Sequence, residues 1–334
     1  MQLILNTFGT SLKVKDGNFL VRAADRKMEL APRKISSILI TTGVYLSSDV
    51  IQLALQWNID LVFLDRFGNP YGRVWHCRLG STTTIRRRQL EIADGREGLH
   101  LAKTWIEKKI QNQIDHLKKL RKRRTRKSST LTKGIDRLSA HYKSLSDLRG
   151  KDIESVRGSI MGIEGSGGRI YFQTLSAILP EKYRFNGRSR NPAKDFFNCL
   201  LNYSYGVLYS MVERACIIAG LDPYTGLLHT DNYNKKSLVF DFIEPYRVWA
   251  DRIIMLLISG RKVKQNHFNK IKGGYTLNKE GKALLLGKFN SHLDESIRYR
   301  GRNIKRRNII QFDCHRLANQ LIKKNSRAPE EVEF

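Results

Sequence analysis

An α+β chain is predicted, with an N-terminal β-sandwich followed by a larger all-α domain. Two changes along the sequence carry this reading. From Met1 to about Val74 short apolar runs alternate with turn residues at close spacing, whereas after Cys77 apolar residues recur every three to four positions. A chain of 334 residues with 41% hydrophobic content exceeds what one core usually organises, so two domains are expected, 1–85 and 86–328, with 329–334 as a tail.

The β-rich part is read from LILNTF, SLKVKDGNFLVRA, ISSILITTG and IDLVFLD, with turns at Lys15-Asp16-Gly17-Asn18 and Phe67-Gly68-Asn69-Pro70. One helix interrupts it. SSDVIQLALQWNI has Ser48 as candidate N-cap, and Val50, Leu53, Ala54 and Trp57 fall at helical spacing.

In the second part IRRRQLEIADGREGLHLAKTWIEKKIQNQIDHLKKLRKR carries Leu99, Trp105, Ile106, Ile110, Ile114 and Leu117 along one side. Residues 128–134 break that stripe, and a second basic helix runs through His141 to Leu148. Three further helices fit VRGSIMGIEGSGGRIYFQTLSAIL, AKDFFNCLLNYSYGVLYSMVERACIIAG and VWADRIIMLLISG, the middle one capped by Asn191 with Pro192 in its first turn and stopped by Gly220. The segment RFNGRSRNP reads as an exposed basic loop, and the tail after Asn325 as frayed.

Charge narrows the partners. Sixty Lys and Arg against 31 Asp and Glu give +29 and a pI near 10.1, the footprint of a protein that meets a polyanion, nucleic acid first. The excess is concentrated at 118–127, with eight basic residues in ten, and at 298–307, with six. In the first run Lys118, Lys119, Arg121, Arg123 and Arg124 are candidate phosphate contacts, set against the alternative of a solvated helix face. A membrane surface fits less well, because only Leu120 supplies a bulky apolar group there. No run approaches a membrane span and no secretory leader is evident, so a cytoplasmic protein is expected. Cys77, Cys199, Cys216 and Cys314 form no CxxC pair and are expected as buried thiols.

Acids in apolar surroundings are the unusual feature of so basic a chain. Glu164 stands in RGSIMGIEGSGGRIYF at the edge of a face made by Ile160, Ile163, Gly167, Ile170 and Tyr171. Glycines at 162, 165, 167 and 168 each cost about 1 kcal/mol against alanine in a helix interior. Close approach of a backbone or a nucleic acid is one reason to keep them. In GLLHTDNYNKKSLVFDFIEPYR, Asp241 and Glu244 share a face if helical, with Ser237 as N-cap and Pro245 ending or kinking the helix. Neighbouring carboxylates need a proton, a base or a metal, and Arg247 is the available base. Oxygen ligands with one imidazole, His229, suit Mg²⁺ or Mn²⁺ rather than structural zinc.

Taken in order, ISSILITTGVYLSSDVIQLALQWNIDLVFLDRFGNPYGRV, RGSIMGIEGSGGRIYF and HTDNYNKKSLVFDFIEPYRVWAD resemble the CRISPR-associated integrase family, the metal-dependent DNA nuclease that captures new spacers. The resemblance covers nearly the whole chain. It implies an N-terminal dimerisation domain, a helical catalytic domain, and Glu164, His229 and Glu244 as metal ligands, with Asp241 as an additional acid beside them. The Gly-Ser-Gly-Gly after Glu164 departs from the alanine- and asparagine-containing versions of that motif, which bears on local helix geometry. The implied reaction is attack by a 3′-hydroxyl of a short duplex on a phosphodiester at the edge of the CRISPR repeat. Implied partners are double-stranded DNA, a second copy of the chain, and a dimer of a small ferredoxin-like protein. Arg169, Tyr171 and Arg247 are further candidates for DNA contact, Tyr171 equally for core. The rivals are a non-catalytic nucleic-acid-binding architectural protein and a structure-specific nuclease that cuts without joining.

Overall fold

The computed structural model describes residues 2–23, 26–35, 37–57, 59–65, 70–74, 82–230 and 235–323. The 67–69 turn residues, Cys77 and the tail after Asn325 lie outside these.

The N-terminal part contains β1 (Gln2–Leu5), β2 (Ser11–Lys15), β3 (Asn18–Ala23), β4 (Arg26–Leu30), β5 (Ser37–Ile40), β6 (Tyr45–Leu46), helix α1 (Ser48–Gln56), β7 (Asp60–Leu64) and β8 (Pro70–Val74). Two sheets form, in the orders β1-β5-β7-β8 and β4-β3-β2-β6. The first is parallel except for β8; in the second β6 runs parallel to β2. Asp16 and Gly17, both at positive φ, make the β2–β3 turn where the sequence signalled one. Between the sheets and α1 lies a core of Leu3, Leu12, Phe19, Ile38, Ile40 and Leu61 among others. Strand alternation turns Leu39, Val62 and Leu64 to the opposite side. Ser47, rather than Ser48, stands at the N-cap of α1, and Trp57 ends the helix half-exposed instead of extending its buried face.

The larger part contains α2 (Thr82–Ala93), α3 (Arg96–Arg123), α4 (Ser128–Asp147), α5 (Arg157–Ile178), α6 (Phe196–Ile218), α7 (Ser237–Phe242), α8 (Arg247–Ser259), β9 (Phe268–Ile271), β10 (Gly274–Leu277), α9 (Lys279–Asp294), β11 (Ser296–Tyr299), β12 (Arg302–Lys305) and α10 (Arg306–Lys323). The apolar stripe of α3 is buried as its spacing predicts, from Leu99 through Leu117. Its helix ends at Arg123, where the periodic stretch ends, but the break expected at 128–134 is corrected: a single 3₁₀ turn at Thr125–Lys127 makes it, and 128–134 already belong to α4. The Gly-Ser-Gly-Gly stretch stays helical within α5.

Several expectations are corrected. The helical domain is not purely α, since two antiparallel hairpins, β9–β10 and β11–β12, are inserted in it. Helix α6 is capped by Asp195, whose carboxylate accepts from Asn198 N, and not by Asn191; Gly220 at φ +77° does stop it. The 184–192 segment is not simply exposed, because Phe185 is buried and Arg188 is held by the side-chain oxygens of Asn198 and Asn202.

The two parts are joined by polar contacts. Arg73 of β8 reaches α6, where it donates to Ser210 O at 2.7 Å and Oγ at 2.8 Å and pairs with Asp60 and Glu213. Among the described residues no helix is long and apolar enough to cross a membrane. Cys199, Cys216 and Cys314 are buried free thiols.

Candidate active site

Three segments are brought together by named bonds. Arg157, the first residue of α5, donates to the carbonyls of Leu227 and Leu228 at 2.7 and 2.6 Å, fixing the loop that carries His229. From the other side Asp241 takes the amide protons of the same loop: Oδ2 accepts from Leu227 N at 2.7 Å and Leu228 N at 3.0 Å, and Oδ1 from His229 N at 3.1 Å. Gly226 permits this fold-back, because a Cβ there would lie 2.4 Å from His229 O and 2.5 Å from Ser237 Cβ.

His229 Nδ1 also meets Asp241 Oδ1, at 2.5 Å. Against a carboxylate that nitrogen must donate, so the ring is locked with Nε2 as its remaining nitrogen for a ligand. Asp241 is thus saturated by the chain itself. It orients His229, and its two oxygens already take four contacts from the loop.

Glu244 follows on the same helical run, in a 3₁₀ turn between α7 and α8, so the sequence reading of a helix kinking at Pro245 is borne out. Ser237 is the first residue of α7 and not its N-cap; its hydroxyl donates to Thr230 O. The side chain of Asn112 on α3 holds the turn by donating to Pro245 O at 2.7 Å. One turn earlier on α3, Lys109 Nζ lies between Glu244 Oε2, at 2.6 Å, and Glu164 Oε1 of α5. Arg247 Nε donates to the other oxygen of Glu244 at 2.8 Å.

Electrostatics follow from this crowding. Burial alone would raise the Glu244 carboxyl, yet Arg247 and Lys109 overcome it and hold the group well below the usual carboxylate range. For Lys109 burial opposes the charge, and Glu244 with Glu164 reverses that and keeps its ammonium more firmly protonated than an ordinary lysine. Neither Lys109 nor Asn112 nor Arg157 was singled out in the sequence. A lysine on an apolar helix stripe gives no local signal; its buried register on α3 is the only hint.

Among the described residues, no three His, Cys, Asp or Glu side chains gather as arranged into a group that could hold an ion. Glu164 and Glu244 meet on Lys109, and His229 meets Asp241. The donor chemistry nevertheless fits a hard cation: two carboxylates, which the Lys109 ammonium bridges here, and an oriented imidazole. Glu164 and Glu244 are balanced by Lys109 and Arg247, so a divalent ion would make the site net positive.

Other predicted contacts separate. Tyr171 is fully buried, accepting from His116 Nδ1 at 2.6 Å and donating to Asp251 Oδ2 at 3.0 Å, which makes it core and leaves no surface for DNA. Arg169 is exposed on α5. Lys118, Lys119 and Arg123 are exposed, whereas Arg121 donates to Thr132 Oγ1 and Arg124 is tied to Ile178 O and Ser259 Oγ. Glycines 162, 165 and 168 face open space, so no other part of the chain explains them; the close approach of α4 to α5 is made by Gly134 beside Thr174.

The family model described as CRISPR associated protein Cas1 matches residues 3–291. The chain belongs to the Cas1 family. It is 35% identical over 322 residues to "CRISPR-associated endonuclease Cas1 1" of Archaeoglobus fulgidus, covering 93% of each chain. A Cas1 endonuclease of Saccharolobus solfataricus is 31% identical over 272 residues, covering 81% of this chain and 78% of that one. Among solved structures, a Cas1 protein from Thermotoga maritima superposes with TM-score 0.82 at 24% identity over 100% of both chains. A casposase bound to integration product gives TM-score 0.82 at 21% identity, covering 98% of this chain and 92% of that one. The Cas1 fold, an N-terminal strand-rich part with a larger helical part, is therefore the fold of this chain.

Proposed function

We propose that this Cas1 chain is a divalent-metal-dependent DNA nuclease and integrase of CRISPR adaptation, joining the 3′-hydroxyl of a short duplex to a phosphodiester at the repeat edge. The observation that carries it is the convergence of Glu164 and Glu244 on one buried ammonium, with Asp241, three residues before Glu244, orienting His229. The curated relatives named as Cas1 endonucleases and the casposase bound to integration product support the reaction class.

Glu164, Glu244 and His229 Nε2 would hold Mg²⁺ or Mn²⁺. When bound, such an ion polarises the phosphodiester and lowers the cost of an attacking alkoxide. The chain's own residues do the rest. Asp241 and Arg157 keep the His229 loop in one position before DNA arrives. Arg247 and Lys109 keep the buried Glu244 ionised, so that its carboxylate is ready for a cation.

DNA binding is supported by the charge of +29. A Cas2-type dimer partner is supported by the complex entitled Cas6-RT-Cas1–Cas2, in which a chain superposes here with TM-score 0.79. A homodimer through the N-terminal part is supported by Phe8, Tyr45, Trp57 and Tyr71, large apolar side chains left exposed on it.

The test is strand joining of a labelled duplex into a supercoiled repeat-bearing plasmid with the small partner, with and without Mn²⁺ or Mg²⁺. Metal-dependent joining that Glu164→Ala abolishes while DNA binding persists supports the assignment. Joining undiminished in Glu164→Ala overturns it.

A further inference from the structure

Lys109 midway along α3, Glu164 near the start of α5 and Glu244 just before α8 stand together, and the three helices meet again at their C-terminal ends. There Arg124, just past α3, donates to Ile178 O, the last residue of α5, and to Ser259 Oγ, the last residue of α8. Tyr183 Oη, after α5, donates to Val263 O, after α8, at 2.6 Å. Helices α3, α5 and α8 therefore run in the same direction from the site to a common tip.

That tip is basic. Residues 118–127, 180–184 and 260–264 together hold thirteen Lys and Arg and a single acid, Glu181. Lys122, Arg123, Arg126, Lys127, Lys182 and Lys262 are all exposed. A lone basic run is often a solvated helix face. Here cations from three segments distant in sequence are collected on one surface, with Arg124 and Tyr183 fixing their relative positions.

The spacing gives the partner. Glu164 and Ile178 are fourteen residues apart on one helix, which at 1.5 Å per residue is about 21 Å. Duplex DNA rises about 3.4 Å per phosphate along a strand, so the tip lies roughly six base pairs from the site.

We propose that the tip is a second DNA anchor, gripping the phosphate backbone of the duplex flank about six base pairs from the point of strand joining. It rests on the function proposed above for the position of that point. The contacts are made to phosphates, so the anchor fixes the flank without reading its sequence.

The test uses forked duplexes whose branch stands for the joining point and whose flank is 4, 8 or 12 base pairs long, bound to the full chain and followed by fluorescence anisotropy. The wild type should gain affinity on the order of tenfold between 4 and 8 base pairs and little beyond. The variant Lys122→Ala/Arg123→Ala/Arg126→Ala/Lys127→Ala, which spares Arg124, should lose that gain. Its log-log salt slope on the longest probe should shrink by about 0.9 per phosphate contact removed. Lys182→Ala/Lys262→Ala, on the other two segments, should lose part of the gain and guards against a folding defect at the end of α3.

Retention of the length dependence by both variants overturns the proposal, as does an equal loss at every flank length or a preference for an RNA duplex of the same length. Joining assays on the same probes separate this from the reaction. If the wild type joins and neither variant alters its flank dependence, the anchor is wrong and the function stands; if nothing joins but the flank-dependent binding is lost in the variants, the anchor stands and the function is wrong.

Discussion

Lys109 Nζ lies 2.6 Å from Glu244 Oε2 and also bonds Glu164, so one ammonium spans carboxylates from two different elements. Replacing it by methionine leaves Glu244 buried with Arg247 as its remaining counter-charge and Glu164 without its bond. Breaking a buried pair in this way costs about 3–5 kcal/mol. The metal-free Lys109→Met chain should melt well below the wild type, and Mn²⁺ should restore more stability to the variant than to the wild type. Thermal denaturation with and without the ion decides this; an equal shift in both proteins would show that ion and ammonium do not share a place.

Asp241 accepts three backbone amides and His229 Nδ1. Asparagine keeps the size but offers an NH₂ where one oxygen accepts, leaving donors facing a donor. Asp241→Asn should lower joining by about 10- to 100-fold, the usual cost of losing a carboxylate behind a ligating histidine. Joining at saturating metal measures it, and full activity in the variant would remove Asp241 from its positioning role.

The Tyr171 network carries two opposed titrations. Burial pushes Asp251 up to about 6, against the hydrogen bonds from Tyr205 and Tyr171 that lower it. Burial likewise drives His116 down to about 3, helped by Arg252, Lys119 and Arg124. Raised in the fold, Asp251 contributes stability that is present at low pH and is lost as pH rises through about 6. Depressed in the fold, His116 contributes stability present above its ordinary value and lost as pH falls toward about 3. Between about pH 4 and 6 the two slopes, each at most about 1.4 kcal/mol per pH unit, oppose one another. In Asp251→Asn the His116 slope should stand uncovered, so stability rises more steeply with pH than in the wild type. Urea midpoints at three pH values test it, and parallel curves would sink the assignment.

Gly162 has no atom within 4 Å of where a Cβ would stand. Gly162→Ala should therefore stabilise α5, by about 0.5–1 kcal/mol. If the bare strip beside Glu164 is kept for DNA, joining should fall in the same variant while its melting temperature rises. Joining that rises with stability would argue against a nucleic acid lying there.

Periodicity found α1, α3, α5, α6 and α8 because each buries a continuous face. It missed both hairpins of the second part. The Arg300-Gly301 pair at positive φ is a two-residue turn, but its flanks, SIRY and RNIK, are too charged to read as strands. At the site, the acids stood out because a carboxylate in apolar sequence is anomalous, whereas His229 was singled out through the family resemblance. Lys109 was not, since only tertiary packing places a helix-stripe lysine between two acids. Arg124 shows the converse error: within a basic run it looks like its neighbours, and only its bonds to two helix ends set it apart.

Arg73 donates to Ser210, 137 residues further along the chain. During synthesis at about 5–20 residues per second, the last strand of the first sheet waits on the order of ten seconds for that partner. Until α6 emerges, Arg73 can pair with Asp60 of its own sheet but not with Ser210 or Glu213, so the rate of translation across residues 74–210 sets how soon the two parts lock together.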